Sequence, residues 1–407
     1  MLELPPLTLY VHLPWCVRKC PYCDFNSHQV SSSHQVSSSH QVSSSNLISS
    51  SDQVSGELPE MEYVAALCRD LDRELPWVQG RQLDSLFFGG GTPSLFSAKA
   101  IGALLDHVAK RIGFAAGAEI TLEANPGTAE AGRFRDYHRA GVNRLSLGIQ
   151  SFADPALTAL GRIHSGKQAL AAVDLARAAG FTRLNLDLMH GLPGQTEADA
   201  AADLEQALAL DPGHISWYQL TIEPNTAFHR KPPILPKEAV LDAIGQRGAA
   251  LLAAAGYGQY EVSAHARIGQ ASLHNRNYWE FGDYLGIGAG AHGKLTDPAA
   301  GRIVRRRKTR QPKHYLAAAD PCVAGDPVSH GELPLEFLMN ALRLNAGVPT
   351  SYFPARTGLP LTVLADFWAE LTTRELLEPF GERLCTTPLG HRFLDTVLAL
   401  ARAGLDD

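Results

Sequence analysis

From Leu7 onward the hydrophobic pattern repeats one unit: a short run of β-branched, aromatic or leucine residues, a connection rich in Gly, Pro or Asn, then an Ala/Leu-rich stretch of helical period. Strands are predicted over 8–13, 85–88, 119–123, 144–149, 184–188 and 215–221, and helices over 61–75, 98–111, 167–179 and 198–210. Strands that alternate with helices pair in parallel, so six such units predict an α/β fold, a partial (β/α)6 barrel over residues 1–325. Ligands of such barrels meet the carboxyl ends of the strands, which directs attention to the connections 14–23, 89–94, 124–128, 150–152, 190–195 and 223–226.

The pattern changes near residue 328. Helices predicted over 334–344 and 361–376, a hairpin over 377–387 turning at Gly381, and a last helix over 389–403 describe a small helical, winged-helix-like domain at 326–407. Winged-helix modules often hold DNA, but acidic residues outnumber basic ones here, so a lid or docking role is expected instead. A different departure lies between Asn26 and Glu57, where HQVSSS recurs and puts His28, His34 and His40 six apart. So few apolar residues cannot offset the entropy of ordering, and a low-complexity insertion at about 27–56 without fixed order is expected. The alternative, a histidine metal tract, lacks rigid ligands.

Composition narrows the class. A chain of 407 residues, 45% hydrophobic and 19% charged, suits a globular, enzyme-sized protein with a large core. No run approaches the roughly 18 apolar residues of a bilayer span. The opening MLELPPLTLY lacks the basic and apolar regions of a secretory signal, so a cytoplasmic location is expected. Lys+Arg 36 against Asp+Glu 42 give a net charge of −6, which argues against nucleic acid as a partner. Six cysteines at these spacings do not make a disulfide framework.

Three of them carry chemistry. Cys16, Cys20 and Cys23 form C-x-x-x-C-x-x-C in the connection after the first strand. Three thiolates on one short loop can hold a 4Fe-4S cube and leave one iron without a protein ligand. Structural zinc or free thiols are the alternatives, though zinc ordinarily takes a fourth Cys or His, and only His28 stands near. Cys68, Cys322 and Cys385 stand singly and are expected to be buried bystanders. Gly89, Gly90 and Gly91, followed by Thr92 and Pro93, remove three Cβ atoms at a strand end, where backbone carbonyls can approach an ammonium group.

The runs YVHLPWCVRKCPYCDF, FFGGGTPSL, ITLEANPGT, GVNRLSLGIQSF, LGRIH, NLDLMHGLPGQT and YQLTIEPNT together resemble the radical S-adenosylmethionine (radical SAM) proteins of the coproporphyrinogen-oxidase-like group. The resemblance covers Leu7 to about Leu400 apart from the serine-rich insertion. It implies that the open iron binds the amino and carboxylate groups of S-adenosylmethionine, and that an electron donor reduces the cluster and so starts radical formation. Cofactor positions carried over from the resemblance are Gly90, Gly91 and Thr92 in the glycine run, Tyr10 beside the adenosyl group, Glu123 and Arg162 toward the methionine end, and Gln150 and Asp187 toward the ribose. Arginine pairs with a carboxylate, and Asp and Gln hydrogen-bond hydroxyls, so the residue types agree.

Two readings exist within that group. One is an oxygen-independent coproporphyrinogen III dehydrogenase, which oxidatively decarboxylates propionates in heme synthesis. The other is a heme chaperone of the HemW type, which binds heme and delivers it to an acceptor protein. The dehydrogenase pattern carries a fourth Cys two places after the third, where this chain has Phe25, and a longer leader than the nine residues before Tyr10. Decarboxylation is therefore not expected, and the resemblance assigns no catalytic residue. SLHNRNYW at 272–279 contains H-N-x-x-Y-W, similar to the chaperone group's heme signature, with His274 as candidate iron ligand and His292 as a weaker one. The basic run Arg302, Arg305, Arg306, Arg307, Lys308, Arg310 and Lys313 is expected to be a solvated face, with heme propionates, a membrane surface or, last, nucleic acid as its alternatives. A membrane-associated acceptor and a homodimer are both compatible with the resemblance.

Overall fold

The structure, a computed structural model, describes residues 2–31, 54–55, 58–127 and 133–406. Six strands follow the predicted alternation: β1 Leu7–Leu13, β2 Leu83–Gly90, β3 Phe114–Ala124, β4 Arg144–Gln150, β5 Leu184–His190 and β6 Gly213–Gln219. Each pairs in parallel with the next, Leu9 beside Leu86, Leu86 beside Ile120, Leu122 beside Leu145, Leu147 beside Leu186 and Leu186 beside Ile215. These side chains are buried, which is why the strands read as near-continuous apolar runs. Hydroxyl caps start the covering helices. Ser97 caps Ala98–Arg111, and Ser165 and Thr196 form capping boxes with Gln168 and Asp199 ahead of Gly166–Ala178 and Glu197–Ala209.

The sheet extends beyond the prediction at both edges. Next to β6 lies β8 Ala264–Ala266, antiparallel to it and to β7 Gly258–Glu261. On the other side β1 pairs in parallel with β9 Asp283–Ile287, and β10 His292–Asp297, β11 Arg302–Lys308 and β12 Cys322–Pro327 continue as an antiparallel meander. One twelve-stranded sheet results, in the order β7-β8-β6-β5-β4-β3-β2-β1-β9-β10-β11-β12. The basic run, expected to be a solvated face, is largely β11. Lys308 Nζ is buried on Asp70 at 2.5 Å and also bonds Glu74, Arg306 bonds Glu74 at 2.9 Å, and Arg305 bonds the Tyr284 hydroxyl at 2.7 Å and Glu336. Carboxylates from the helix Glu60–Glu74 thus draw Lys308 and Arg306 inward, whereas Arg302, Arg307, Arg310 and Lys313 stay exposed as expected.

The C-terminal helices Leu333–Ala341, Ala365–Thr373 and Leu394–Asp406 enclose a second core around Phe337, Trp368, Leu384 and Val397. Phe281 and Ile303 of the sheet layer enter the same core, so this region sits directly on the barrel. The hairpin expected over 377–387 is replaced by a single bridge, Leu377 to Thr386, because Arg383–Leu384 pairs instead with Val348–Pro349. Phe393 interrupts the last helix. Both described ends of the serine-rich segment are strands: His28–Ser31 pairs with Trp15–Cys16 and with Val54–Ser55. The rest of that insertion, 32–53 and 56–57, lies outside the described residues.

Candidate functional site

At the carboxyl ends of the strands lies a cavity of about 460 Å³. Cys16, Cys20 and Cys23 line it, with Gly90, Gly91, Thr92, Glu123, Gln150, Arg162 and Asp187, so ten of the sequence-derived positions meet at one place. The cysteine loop is fastened by backbone: Gly91 N–H donates to Leu13 O at 2.8 Å and Thr92 N–H to Trp15 O at 2.7 Å. A Cβ on Gly91 would lie 2.5 Å from Trp15 O, and one on Gly90, at φ +112°, would lie 2.5 Å from the His12 ring. The glycine run therefore lets the end of β2 pack against the loop, a role the sequence reading had given to ligand approach alone.

Donors reach two of the sulfurs. Thr92 Oγ1 points to Cys16 Sγ at 3.6 Å, and Arg162 Nη1 to Cys20 Sγ at 3.6 Å. Asn125 joins them, donating from Nδ2 to Thr92 Oγ1 at 3.1 Å and accepting at Oδ1 from Arg162 Nη2 at 2.5 Å. The same Nη2 donates to Gly148 O at 2.6 Å, past a residue whose absent Cβ leaves the space for it. Asn125 and Gly148 were missed by sequence reasoning. Asn125 stands in the quoted EANPGT run, two residues after Glu123, and that is the signal which pointed to it.

Among the described residues, no three His, Cys, Asp or Glu side chains converge to hold a single metal ion. The three thiols line one cavity instead. That arrangement suits a cluster, which takes its thiolates at separate corners, better than tetrahedral zinc. Hydrogen-bond donors and a guanidinium beside the sulfurs favour thiolate character. Burial pushes the Cys16 and Cys23 thiols up, so the protein alone leaves them protonated and a metal must displace the protons.

The same cavity has acidic lining. Glu123 and Asp187 are partly buried with their free surface toward the cavity. Desolvation, then the Asp187 charge, raises Glu123 to about 8. Desolvation also raises Asp187, against hydrogen bonds from Ser146 Oγ at 2.7 Å and Asn185 Nδ2 at 2.8 Å. Gln150 holds a left-handed φ of +67° at the cavity edge, a strained backbone for a non-glycine residue.

Tyr10 and His274 do not line this cavity. Tyr10 packs inside the barrel with its hydroxyl on His12 Nδ1 at 3.0 Å. His274 opens the short helix Leu273–Trp279 and is buried, 5.1 Å between centroids from the Phe87 ring. Its Nδ1 pairs with Ser85 Oγ at 2.9 Å and its Nε2 with the Tyr278 hydroxyl at 3.1 Å. Desolvation lowers His274 to about 3, so the ring is neutral. Buried Glu119, a third residue that sequence reasoning missed, accepts from the backbone N–H of Leu273 at 3.0 Å and pairs with Arg183 at 2.9 Å and Arg144 at 3.2 Å. His292 is exposed at the start of β10.

Residues 10–207 match the model of the radical SAM superfamily, and residues 328–393 that of the HemN C-terminal domain. The chain is 48% identical over 400 residues to the heme chaperone HemW of Escherichia coli, covering 98% of this chain and 99% of that one. It is 50% identical over 404 residues to the heme chaperone HemW of Haemophilus influenzae, with the same coverage. In fold it is similar to the solved coproporphyrinogen III oxidase HemN of Escherichia coli, with a TM-score of 0.76 at 22% identity over 98% of this chain and 90% of that one.

Proposed function

This chain belongs to the HemW family within the radical SAM superfamily, and from that premise we propose that it is a heme chaperone, binding heme and handing it to an acceptor protein. The observation that carries this reading is the near-full-length identity to two proteins of that name. The HemN likeness, at 22% identity, is one of fold and brings no decarboxylation with it.

Cys16, Cys20 and Cys23 would hold a 4Fe-4S cluster in the cavity, and S-adenosylmethionine would share it. A reduced cluster supplies one electron to the sulfonium of that cofactor. The chain's own residues prepare the place: Thr92, Asn125 and Arg162 fix the loop and put positive charge beside sulfur, while Gly90 and Gly91 admit the loop against β2. Glu123, Gln150 and Asp187 offer acceptors for an ammonium group and for hydroxyls.

For heme we propose His274 as iron ligand. Burial keeps its imidazole neutral, the form that ligates iron. Both nitrogens are engaged in this conformation, so capture of heme would require Nε2 to leave the Tyr278 hydroxyl and the helix Leu273–Trp279 to shift. No helix among the described residues is long and apolar enough to cross a membrane.

Anaerobic reconstitution followed by titration with heme, and separately by incubation with coproporphyrinogen III, tests the reading. Saturable heme binding without decarboxylated product is expected. Turnover of coproporphyrinogen III without heme binding would overturn it.

A further inference from the structure

Asp187 ends a line of buried polar side chains that crosses the inside of the barrel. Along β5 Leu184, Leu186 and Leu188 share one buried face, so the alternate positions Asn185 and Asp187 share the other. Strand register sets Asn185 between Ser146 of β4 and His214 of β6, and all three are buried. The partners then fix the direction of each bond. Ser216 N–H can only donate, and it meets Asn185 Oδ1 at 3.1 Å, so the Asn185 amide nitrogen donates to Ser146 Oγ and to Asp187 Oδ1, each at 2.8 Å. Ser146 Oγ, accepting there, donates to Asp187 Oδ2 at 2.7 Å. His214 Nδ1 lies 2.6 Å from the same Asn185 Oδ1 and therefore carries the proton. Burial keeps the ring neutral, so Nε2 accepts from the Tyr260 hydroxyl of β7 at 2.9 Å. Hydrogen bonds from the Ser272 backbone and the Asn275 side chain reach that hydroxyl in turn. Asn275 is the asparagine of H-N-x-x-Y-W, so donors all aimed at the Asp187 carboxylate join the large cavity to the helix Leu273–Trp279.

We propose that Asn185, His214 and Tyr260 are positioning residues that couple the two proposed sites, so that a nucleoside bound at Asp187 eases heme capture at the helix; the inference rests on the heme-chaperone reading and its cofactor positions. A ribose hydroxyl donating to Asp187 competes with Asn185 and Ser146 for the carboxylate oxygens. Bonds in such a string polarise one another, so weakening the end at Asp187 weakens the grip of Tyr260 on Ser272 and Asn275. The same helix has to shift before His274 Nε2 can leave the Tyr278 hydroxyl, and a looser anchor lowers the cost of that shift. Coupling of this kind is reciprocal, and heme tightens the nucleoside by the same factor.

The test titrates hemin into the reconstituted chain, its cluster oxidised, with and without saturating S-adenosylmethionine. The cofactor is expected to tighten heme at least fivefold in the unaltered chain. The same factor is expected in Tyr257→Phe, which loses a hydroxyl bonded to Asp211 and away from the string. In Tyr260→Phe both ligands still bind and the factor falls to about one. A second measurement does not depend on that variant: with ¹⁵N-labelled histidine, the His214 signal, identified by its loss in His214→Gln, is expected to report the Nδ1–H tautomer and to shift when the cofactor is added. Equal heme affinity with and without cofactor, looser binding on adding it, a factor kept in Tyr260→Phe or lost equally in Tyr257→Phe, or a His214 signal that shows the other tautomer or does not move would each overturn the proposal. An unaltered chain that binds no heme, or no S-adenosylmethionine, would instead overturn the reading beneath it and this inference with it.

Discussion

Asn125 bonds the two side chains that donate to sulfur, so its loss should be felt at the cluster before it is felt in the fold. Asn125→Ala leaves Thr92 and Arg162 each short of a partner, a cost of about 1–2 kcal/mol. Iron and sulfide retained after anaerobic reconstitution should fall well below wild type while the circular dichroism spectrum stays the same. Retention of the full complement would remove Asn125 from the site. Glu123 gives a prediction in pH. Its native value of about 8 lies above the ordinary 4.5, so the folded state holds the proton more tightly than the unfolded one. The stability it contributes is present below about 4.5 and is lost as pH rises through about 8. In the ligand-free protein Glu123→Gln should therefore melt above wild type at pH 9, by about 1 kcal/mol once cavity water is allowed for, and close to wild type at pH 4.5. An equal difference at both values would contradict the burial that raises it. At this scale the sequence was legible where a motif marked a residue, as for the cysteines. It was silent where the role depends on which polar groups face inward, as for Glu119, which lies outside every quoted run.

Elements separate the site from its scaffold. Gly91 and Gly248 both stand where a Cβ would clash, but against different things: Gly91 meets Trp15 O at 2.5 Å in the cysteine loop, and Gly248 meets the Trp217 ring at 1.9 Å on the outside of the barrel. Gly248→Ala should cost about 1–3 kcal/mol by overpacking and keep its cluster. Gly91→Ala should lose iron with a smaller fall in Tm. Iron analysis beside thermal melts checks both, and the reverse order would contradict the assignment of the glycine run to the loop. The six parallel strands were legible because their apolar runs are bounded by Gly, Pro and Asn, and observed ends differ from the predicted ones by a few residues. The meander from β9 to β12 was not. Lys294 and Lys308 are buried there on Asp283 and on Asp70 with Glu74, so cations occupy positions where a strand pattern calls for apolar side chains. Their partners lie far off along the chain in the latter case, and no local window contains them.

Across the whole molecule the proposed function needs two separate places, one for a cluster with S-adenosylmethionine and one for heme. The cysteine loop and its cavity close the carboxyl end of the barrel, while His274 lies within it, on the short helix whose Trp279 meets Arg343 of the C-terminal region. The most direct test is heme titration, followed by the Soret band, beside iron and sulfide counts on Cys20→Ala, His274→Ala and the unaltered chain. Cys20→Ala should lose its cluster and still bind heme, and His274→Ala should keep about four cluster irons per chain and bind heme at least tenfold more weakly. Heme binding that disappears with the cluster in Cys20→Ala, or that is unchanged in His274→Ala, would contradict the account.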